Sequence, residues 1–564
     1  MPALVVPGVR VEARFDVLPP LPAPSGIVGI VGIVDRAPAG GGLVGVTKTA
    51  ELRQLLGPGS AMSMVEAGHA LGNGAAEIVV SPVAGGSRAS ATLLNAAAQA
   101  VVLLRARANG AAGNDLRAEI RVVTNAANEV VRATLRLLRG GRVLETFSDL
   151  QIAPGHADDL FEAINANSGL VVAVDPGFAD VLPREGAYAF AGDAQIRLPE
   201  PLPGTRELLS MRAAPDVDPT GLSVQVVNAA NGTVTVRVFQ RGLQEEFTDL
   251  TADPDDARYL PALLASESRF VRFTSLSSRA TDRLPVPDVA GPVAFTGGTS
   301  PSVAQYVVAI GRLADDPRID IVLASIEPGR ANDDVRAIHQ ALGAHAVAMA
   351  EVAAPRIAFG SITTAESRDL DQIREHSALV RNRRFVLVAP PGAEGAVAGL
   401  VGRLDPRDSP TFKPTPLFGI PPATFRDSEL NRLLGSTTNL CVVENRAGRG
   451  VVILRGLNTS GDQISVTRVA DICIRETKNI SENFIGELNS AGARLALREQ
   501  LVGTFTRLER EGSLVPSTDG TSPAFTVDVY STQLDFAQGI VRVDIAVRPV
   551  RSIDYIYATI WVRE

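Results

Sequence analysis

The sequence Ile464-Ser-Val-Thr-Arg-Val-Ala-Asp-Ile472 opens the final stretch of the chain, residues 464–564. Its β-branched residues begin with a period of two, which predicts a strand. The chain ends in Ile553-Asp-Tyr-Ile-Tyr-Ala-Thr-Ile-Trp-Val562, an apolar run of high β propensity. A free terminal strand of this kind needs a partner, either within its own sheet or on another subunit.

Between these two runs the sequence predicts a long amphipathic helix that ends at Gly512. Its apolar residues fall near i, i+3, i+4 spacing and are Phe484, Ile485, Leu488, Leu495, Leu497, Leu501, Phe505 and Leu508. Four arginines are expected on the other side, namely Arg494, Arg498, Arg507 and Arg510. Two alternating strands are predicted to follow, at 525–530 and 539–547.

Composition indicates a multidomain globular protein. The chain has 564 residues, 45% hydrophobic and 21% charged, and one core does not keep growing beyond roughly 250–300 residues. A formal charge of −8 argues against a general nucleic-acid binder. No apolar run reaches the roughly 18 residues of a spanning helix, and the first residues lack the basic region of a secretory signal.

Two cysteines, Cys441 and Cys473, are too few for a disulfide framework or a metal cluster. Both lie in apolar surroundings, so we expect buried free thiols and synthesis in a reducing cytoplasm.

The N-terminal residues 1–25 are predicted to form an extended arm. Residues 5–12 alternate like a strand and are rich in valine, and the prolines between 19 and 24 exclude a helix. A frayed terminus is the alternative, but the alternation favours ordering on a partner.

An α/β pattern begins at Gly26-Ile-Val-Gly-Ile-Val-Gly-Ile-Val34, a buried strand of a sheet covered on both faces. Its glycines lie inside the strand, whereas a dinucleotide loop has them after the strand. Helices are predicted at 49–56, with Thr49 as N-cap, 62–71, 306–313, 333–349, 370–379 and 395–404. Strands are predicted at 76–80, 319–324, 356–359 and 385–389, with a hairpin formed by 440–444 and 450–454.

Between these halves the sequence repeats itself. Leu144-Glu-Thr-Phe-Ser-Asp-Leu150 returns as Gln244-Glu-Glu-Phe-Thr-Asp-Leu250, and Asn125-Ala-Ala-Asn128 returns as Asn228-Ala-Ala-Asn231. Ser168 and Ser268 are expected to close matching short helices. A repeat this long indicates a duplicated domain rather than a solenoid.

The sequence predicts no catalytic, cofactor-binding or metal-binding residues. The sequence has no nucleophile elbow and no phosphate-binding loop. Its histidines are scattered and are interpreted as surface or packed residues; they are His69, His156, His339, His345 and His376. Asp253, Asp255 and Asp256 lack the glycine and glutamate of a calcium loop. Arg383-Arg384 either binds an anion or is solvated.

The C-terminal block resembles the end of contractile tail sheath proteins. The residues that carry this resemblance are Arg455-Gly-Leu-Asn-Thr459, Ile464–Arg468, Asp471, Phe484-Ile-Gly-Glu-Leu-Asn489, the helix at 493–511, residues 539–550 and the final strand. Further segments with the sheath pattern are Pro7–Glu12, Pro24–Val28, Val46–Gly57, Ala106-Arg-Ala-Asn-Gly-Ala-Ala-Gly-Asn114 and Phe295-Thr-Gly-Gly-Thr299. In the second copy of the repeat, Asp218-Pro-Thr-Gly221 stands in place of the Gly113-Asn114 pair of the first copy.

The resemblance implies a structural subunit, not an enzyme, that polymerises as hexameric rings into a helical sheath. It implies an inner tail tube protein, baseplate proteins and tail terminator proteins as partners, without direct nucleic-acid contact, membrane insertion or cofactor. Contraction would drive the tube through a target envelope for phage genome delivery, and the protein would be part of a virion tail assembled in the host cytoplasm. The first alternative is the sheath of a phage-derived injection system or R-type bacteriocin. More remote alternatives are an α/β enzyme and a surface-layer protein or adhesin decorated by β-rich repeats. The missing secretory signal counts against a surface-layer protein or adhesin.

The resulting fold class is α/β and α+β multidomain, with a discontinuous α/β core, an inserted pair of duplicated domains and extended terminal arms. The expected divisions are 1–25 for the N-terminal arm, 26–92 plus 285–390 for the core, 93–195 and 196–284 for the inserted outer copies, 391–550 for a tube-facing domain and 551–564 for the C-terminal arm. The arm residues expected to add strands to neighbours are Val5, Val9, Val11, Ile553, Tyr555, Tyr557, Ile560 and Trp561. The four arginines of the long helix are the candidates for tube contact; the alternative is a helix with an ordinary solvated face.

Overall fold

The structure is a computed structural model. It describes residues 26–554 except 35–36, 39–40, 58–59, 95–99, 108–109, 125–129, 152–157, 175–185, 190–194, 200–206, 215–216, 218, 230–231, 254–255, 257 and 275–292. Predictions that fall outside the described residues concern Val5, Val9, Val11, Asn125–Asn128, His156, Asp255, Tyr555, Tyr557, Ile560 and Trp561.

In chain order the strands are β1 (Ile27–Gly32), β2 (Val44–Val46), β3 (Glu77–Pro82), β4 (Ser90–Leu94), β5 (Ala100–Ala106), β6 (Leu116–Thr124), β7 (Val130–Arg139), β8 (Arg142–Leu150), β9 (Val171–Val174), β10 (Gly186–Ala189), β11 (Gln195–Pro199), β12 (Glu207–Ala213), β13 (Leu222–Asn228), β14 (Val234–Gln240), β15 (Leu243–Leu250), β16 (Val271–Thr274), β17 (Val293–Ala294), β18 (Ile321–Ala324), β19 (Ile357–Ser361), β20 (Phe385–Ala389), β21 (Cys441–Arg446), β22 (Gly450–Ile453), β23 (Phe525–Tyr530) and β24 (Arg542–Val547). The helices are α1 (Thr49–Leu56), α2 (Ser60–Ser63), α3 (Val65–Gly72), α4 (Leu160–Asn167), α5 (Leu260–Glu267), α6 (Val303–Arg312), α7 (Asn332–Glu351), α8 (Leu370–Leu379), α9 (Glu394–Arg403), α10 (Asp427–Leu433), α11 (Ile464–Glu482), α12 (Ala491–Arg510) and α13 (Gln533–Ala537).

Residues Val469–Val550 form one compact unit, and Ser25–Arg468 together with the segment that starts at Arg551 form another. In the larger unit the described strands build an eight-stranded sheet in the order β2-β3-β1-β18-β19-β20-β21-β22. The six strands from β3 to β21 run parallel, and the two edge strands are antiparallel to their neighbours. The boundary expected at 391 falls between β20 and β21, two neighbouring strands of this sheet.

Helices cover both faces of the sheet, as the continuous apolar strands require. One buried cluster joins the sheet to α6, α7, α8 and α10, and the other joins it to α1, α3 and α9. All six residues of β1 are buried. This arrangement confirms the α/β core.

Close packing explains the glycines of β1. A side chain at Gly32 would place its Cβ 2.6 Å from Met64 Cγ, and one at Gly29 would lie 3.1 Å from Ile319 Cγ2. The glycines therefore make room for neighbouring side chains.

Helices α3 and α9 also depend on glycine. An added Cβ at Gly395 would lie 2.3 Å from the carbonyl oxygen of Glu66, and one at Gly399 would lie 2.2 Å from that of Ala70. The two backbones therefore approach closely, and α9 is held against α3.

An insertion leaves the sheet after β3 and returns before α6. Its ends meet, because Ser87 N donates to Thr299 O at 3.0 Å and Thr299 N donates back to Ser87 O at 3.2 Å. Just beyond, the amide of Asn114 donates to Gly298 O and accepts from Gly298 N, both at 2.9 Å. Two of the sheath-like motifs, one ending in Gly-Asn and one in Gly-Gly-Thr, therefore fasten each other at this stem.

The insertion has two parts, and each contains one four-stranded sheet and one three-stranded sheet. In the first part the sheets are β17-β6-β7-β8 and β4-β5-β9, and in the second part they are β10-β13-β14-β15 and β11-β12-β16. The β7–β8 pairing shifts register on either side of Leu135–Leu137, and the β14–β15 pairing shifts around Val236–Val238. β10 pairs with β13, across the division expected at 195/196.

The repeated sequence motif has a local structural role in both parts. Ser168 and Ser268 close α4 and α5, as predicted, and their hydroxyls donate to Glu145 at 2.7 Å and Glu245 at 2.6 Å. Asp149 and Asp249 have φ values of 56° and 53°, a left-handed conformation that aspartate tolerates. These residues fix the connection from the β7–β8 hairpin to α4 in the first part and from the β14–β15 hairpin to α5 in the second part.

In the smaller unit the predicted strand at 464–472 is wrong, because Ile464–Glu482 is one helix. Val469, Cys473 and Ile480 are buried on it at helical spacing. Tertiary packing of this face outweighs the β propensity of isoleucine, valine and threonine.

Other boundaries need smaller corrections. α12 starts at Ala491, so Phe484, Ile485 and Leu488 precede the helix, although Gly512 follows its end with φ of 76°, as predicted. Thr49 is the first helical residue and Lys48 is the N-cap. The helix expected at 62–71 is divided into α2 and α3.

We predict that Gly395→Ala lowers the free energy of unfolding by about 1–3 kcal/mol, because the new methyl group would overlap backbone atoms of α3. Gly311→Ala is the control, since a Cβ there meets nothing within 4 Å. It should leave stability unchanged or raise it by about 0.5–1 kcal/mol. Urea denaturation of the two variants measures both values, and equal effects would contradict the proposed close contact.

Candidate assembly surface

The smaller unit is built on two helices and one hairpin. α12 buries Leu497, Leu501, Phe505 and Leu508 in a cluster with residues of α11 and the inward side of β23–β24. Ser490 caps α12, since its hydroxyl accepts from Ala493 N at 3.1 Å. The helices therefore support one face of the hairpin.

The hairpin leaves polar groups on its other face. β23 and β24 are antiparallel, with Asp528 opposite Asp544, and residues 542–547 alternate between exposed and half-buried. Asp535, in α13 between the two strands, forms a two-pronged pair with Arg542, with both contacts at 2.8 Å. The Arg542 guanidinium and the Thr532 hydroxyl hold the pKa of Asp535 below its usual range.

Within the part of the chain that the structure describes, this sheet has two strands. A two-stranded sheet has two outer edges whose backbone groups can pair with a further strand. Such a hairpin is marginally stable alone and gains stability from added strands or from helix packing. It is therefore suited to accept a strand.

An apolar groove of about 410 Å³ adjoins the hairpin. Phe484, Leu488 and Val541 contribute to its lining. Ile485 and Leu488, which the sequence assigned to the buried side of a helix, are 80% and 83% exposed. A contiguous exposed apolar patch of this kind is typical of an interaction site.

The four arginines do not form one surface. At about 100° per residue, Arg494 and Arg498 lie about 120–180° around α12 from Arg507 and Arg510. Arg494 donates to Asn489, and Arg498 Nε donates to Val527 O at 3.3 Å. The prediction that all four lie opposite the apolar side is therefore wrong for Arg494, which lies in line with the buried positions of α12, and for Arg498, which lies at their edge.

The second pair differs in its partners. Arg507 contacts Glu511 at 3.2 Å and Glu476 at 3.9 Å. For Arg510 no carboxylate of the described residues lies within ion-pair distance, and its side chain is exposed. Arg510 is thus the member of the set with the greatest freedom to contact another protein.

The described part of the C-terminal arm belongs to the larger unit. Arg551 pairs with Asp462 at 2.8 Å, Ser552 N donates to Gln463 at 2.8 Å, and Asp554 contacts Arg455 at 3.4 Å. Ile553 is 79% exposed. Residues 551–554 are therefore anchored while Ile553 is free to contact a partner.

The sheath-like Asn458-Thr459 pair also fixes backbone. Asn458 Nδ2 donates to Arg383 O at 2.9 Å, and Thr459 Oγ1 donates to Val380 O at 2.8 Å. Both side chains are buried. This motif ties the segment after β22 to the loop before β20.

Both cysteines are buried free thiols, as predicted. Burial raises the pKa of Cys441 to about 12, and burial with the nearby Glu476 and Asp471 carboxylates does the same for Cys473. Neither thiol is activated for nucleophilic chemistry.

Sequence spacing did not predict that His339, His376, Glu366 and Arg336 form a buried series of hydrogen-bonded side chains, called here the histidine chain. His339 Nδ1 lies 3.0 Å from His376 Nε2, and His376 Nδ1 lies 2.8 Å from Glu366, which Arg336 contacts at 2.9 Å. Helix α7 supplies His339 and Arg336, and the segment 366–376 supplies the other two. These residues meet only because α7 and α8 pack together.

Among the described residues no group of three or more His, Cys, Asp and Glu side chains is placed to hold a metal ion. None of the described helices has the length and apolarity to cross a membrane.

No protein-family model and no curated protein matches the chain. Among solved structures, the sheath tail protein of Desulfitobacterium hafniense is 12% identical, with 92% of this chain and 93% of that chain covered and a TM-score of 0.44. The sheath tail protein of Listeria innocua gives 12% identity, 94% and 93% coverage and a TM-score of 0.44. The helical sheath of the anti-feeding prophage in its contracted state is 16% identical, with 48% and 78% coverage and a TM-score of 0.36.

We predict that Arg498→Ala lowers the free energy of unfolding by about 0.5–1.5 kcal/mol, because it removes the hydrogen bond to Val527 O. Arg510→Ala should change it by less than about 0.5 kcal/mol, as expected for an exposed side chain. Urea denaturation compares the two. A larger loss for Arg510→Ala would contradict this division of the arginines.

Proposed function

We propose that this chain is the structural subunit of a contractile tail sheath. The observation that carries the proposal is the hairpin β23–β24, which pairs with no third strand among the described residues and which adjoins an exposed apolar groove. It sits in a chain that resembles sheath proteins along most of its length and that has strand-like sequences at both ends. The protein's task is then assembly, and no enzymatic activity is proposed.

In this proposal the terminal arms of neighbouring subunits add strands to the β23–β24 hairpin. Strand addition supplies main-chain hydrogen bonds, while alternate side chains enter adjacent pockets. Val5, Val9 and Val11 of one arm, or Ile553, Tyr555, Tyr557, Ile560 and Trp561 of the other, would supply those side chains. The groove at Phe484, Leu488 and Val541 is the pocket we assign to them.

Because each subunit both donates and accepts, the contacts run head to tail, and contacts of this kind that do not close generate an open helix. The resemblance to sheath proteins implies that this helix is made of hexameric rings. We propose an inner tail tube protein, baseplate proteins and tail terminator proteins as the other partners. Contraction of this polymer would drive the tube through a target envelope, and the protein would reside in a virion tail assembled in the host cytoplasm. The same geometry serves the sheath of an injection system or bacteriocin.

For the tube contact we narrow the candidates to Arg507 and Arg510, which share the face of α12 away from its buried side. Arg507 is partly neutralised by Glu511 and Glu476, so Arg510 is the stronger candidate. Arg494 and Arg498 are assigned to the internal structure of the unit.

We further propose that the insertion consists of two tandem copies that decorate the polymer. Equivalent register shifts, the paired Glu145–Ser168 and Glu245–Ser268 contacts, and the matched left-handed aspartates support a common origin. The stem at Ser87 and Thr299 supports its independence from the core, since the chain leaves and returns at one point.

The first test is electron microscopy of the purified full-length chain and of a variant lacking residues 555–564. This truncation keeps Arg551, Ser552 and Asp554, so the anchoring contacts remain. The full-length chain should form striated tubes or stacked rings, and the truncation should abolish them. Leu488→Ser, at an exposed groove position, should also abolish assembly without lowering the melting temperature.

Tubes from every variant would preserve the sheath proposal and contradict the role of the C-terminal strand. Discrete monomers or small closed oligomers from the full-length chain, even with a tube protein present, would contradict the proposed function itself.

The second test removes residues 88–298 and joins Ser87 to Thr299 through two glycines. Since these two residues already pair, the core should fold and polymerise as before. Circular dichroism and thermal melting verify folding. A folded variant that fails to polymerise would contradict the assignment of the insertion as decoration.

A further inference from the structure

A second site lies in the α/β core, at the carboxyl ends of the parallel strands. It is a pocket of about 170 Å³ closed by the segments that follow β18, β19 and β20. Its polar lining includes Glu66, Glu327, Arg330, His339, Ser361 and Glu394. The strand order changes direction between β1 and β18, because β1 has β3 on one side and β18 on the other, and the segment after β18 lines the pocket. Ligands of open α/β sheets bind at such switch points.

Three of the residues that line this pocket each have one buried polar atom without a hydrogen-bond partner: Glu394 Oε2, Glu327 Oε1 and Arg330 Nε. Glu394 is 5% exposed, and the side chains of Glu327 and Arg330 are 8% and 6% exposed. Buried polar atoms are ordinarily hydrogen-bonded, so their concentration in one cavity indicates a missing occupant.

The histidine chain fixes what His339 offers. Glu366 accepts from Arg336 Nε at 2.9 Å and from Thr363 N at 3.0 Å, so its carboxylate stays ionised. His376 Nδ1 then donates to Glu366, and His376 Nε2 accepts from His339 Nδ1. This assignment leaves His339 Nε2 as an acceptor.

The side chains that line the pocket offer more hydrogen-bond acceptors than hydrogen-bond donors. Neither Glu66 nor Glu394 has a lysine or arginine within ion-pair distance among the described residues, whereas Arg330 contacts both Glu327, at 3.3 Å, and Asp334, at 3.2 Å. Glu66 accepts from Ser325 Oγ at 2.5 Å. The occupant that complements this wall is positively charged and donates hydrogen bonds.

We propose that the pocket binds a small organic cation of the primary-amine class, whose ammonium group donates to Glu394 and Glu327. The volume matches about five or six water molecules at roughly 30 Å³ each, which suits an amine of a few heavy atoms. This inference does not depend on the sheath proposal, because all of its residues belong to the α/β core.

Protonation of the carboxylates in the pocket weakens the binding of this cation. Burial and the neighbouring Glu66 carboxyl raise the pKa of Glu394 to about 8, above its ordinary value of 4.5. Burial raises the pKa of Glu66 and lowers that of His339, which stays neutral. The other charged groups at the pocket are Glu327 and Arg330. Since the cation favours the ionised carboxylate, its affinity should rise as pH increases through about 8.

The experiment measures thermal unfolding of the full-length chain against increasing methylammonium chloride at constant ionic strength, at pH 7 and pH 9. Tetramethylammonium chloride is the matched control, because it carries the same charge but no N–H donor. Binding to the folded state raises the melting temperature saturably. We expect such a rise with methylammonium, half-saturated at lower concentration at pH 9, and none with tetramethylammonium.

Glu394→Gln and Glu327→Gln each keep the shape of the pocket and remove one carboxylate. At pH 9, where Glu394 is ionised, each should weaken the methylammonium response about tenfold or more, as expected for loss of a charged hydrogen bond. Glu375→Gln is the control, since this side chain is 62% exposed and lies outside the pocket lining. If Glu394→Gln does not fold, Glu327→Gln alone decides the outcome.

Equal responses to the two ammonium ions, a response that does not saturate, or an undiminished response in a folded pocket variant would overturn the proposal. The pocket would then hold water only. Loss of tube formation in the microscopy experiments has no bearing on these results, so the two proposals fail independently.

Discussion

The larger unit depends on the burial of β1 on both faces. With no exposed residue in β1, the strand needs parallel neighbours on both sides and helices above and below it. One neighbour, β3, comes early in the chain, and the other, β18, comes only after the insertion. The insertion is compatible with this sheet because Ser87 and Thr299 bring its two ends together. Long insertions closed in this way cost little free energy.

The smaller unit has the opposite character. Its hairpin has one face on α12 and two outer edges that pair with no further strand among the described residues, and its groove exposes Ile485 and Leu488 to solvent. The core can satisfy its own apolar surface, whereas this unit gains stability from further strands. The hairpin is therefore the part of the described chain that is best suited to accept a further strand.

The sequence predicts most of the core because its elements are long, apolar and strongly periodic. The helix at 370–379 and the strands at 385–389 and 525–530 have the predicted bounds, and both buried thiols are confirmed. The segment 464–472 was misassigned because β-branched residues dominate it, although its buried positions repeat at helical spacing. The arginines of α12 could have been separated by their rotation around the helix. The contacts of His339 with His376 could not be predicted, because residues that lie far apart in sequence meet only through the packing of α7 on α8.

The sheath-like motifs that the structure describes fix backbone rather than supply chemistry. Asn114 holds Gly298, and Asn458 with Thr459 holds the loop before β20. In each case the polar atoms find their partners within the chain, as a structural role requires. The pocket around Glu394 differs, because Glu394, Glu327 and Arg330 are buried with polar atoms left unpaired. Burying such groups costs free energy that packing alone would avoid with apolar side chains. The motifs therefore stabilise the fold of the chain itself, whereas the proposed cation would give the buried polar groups of the pocket their partner.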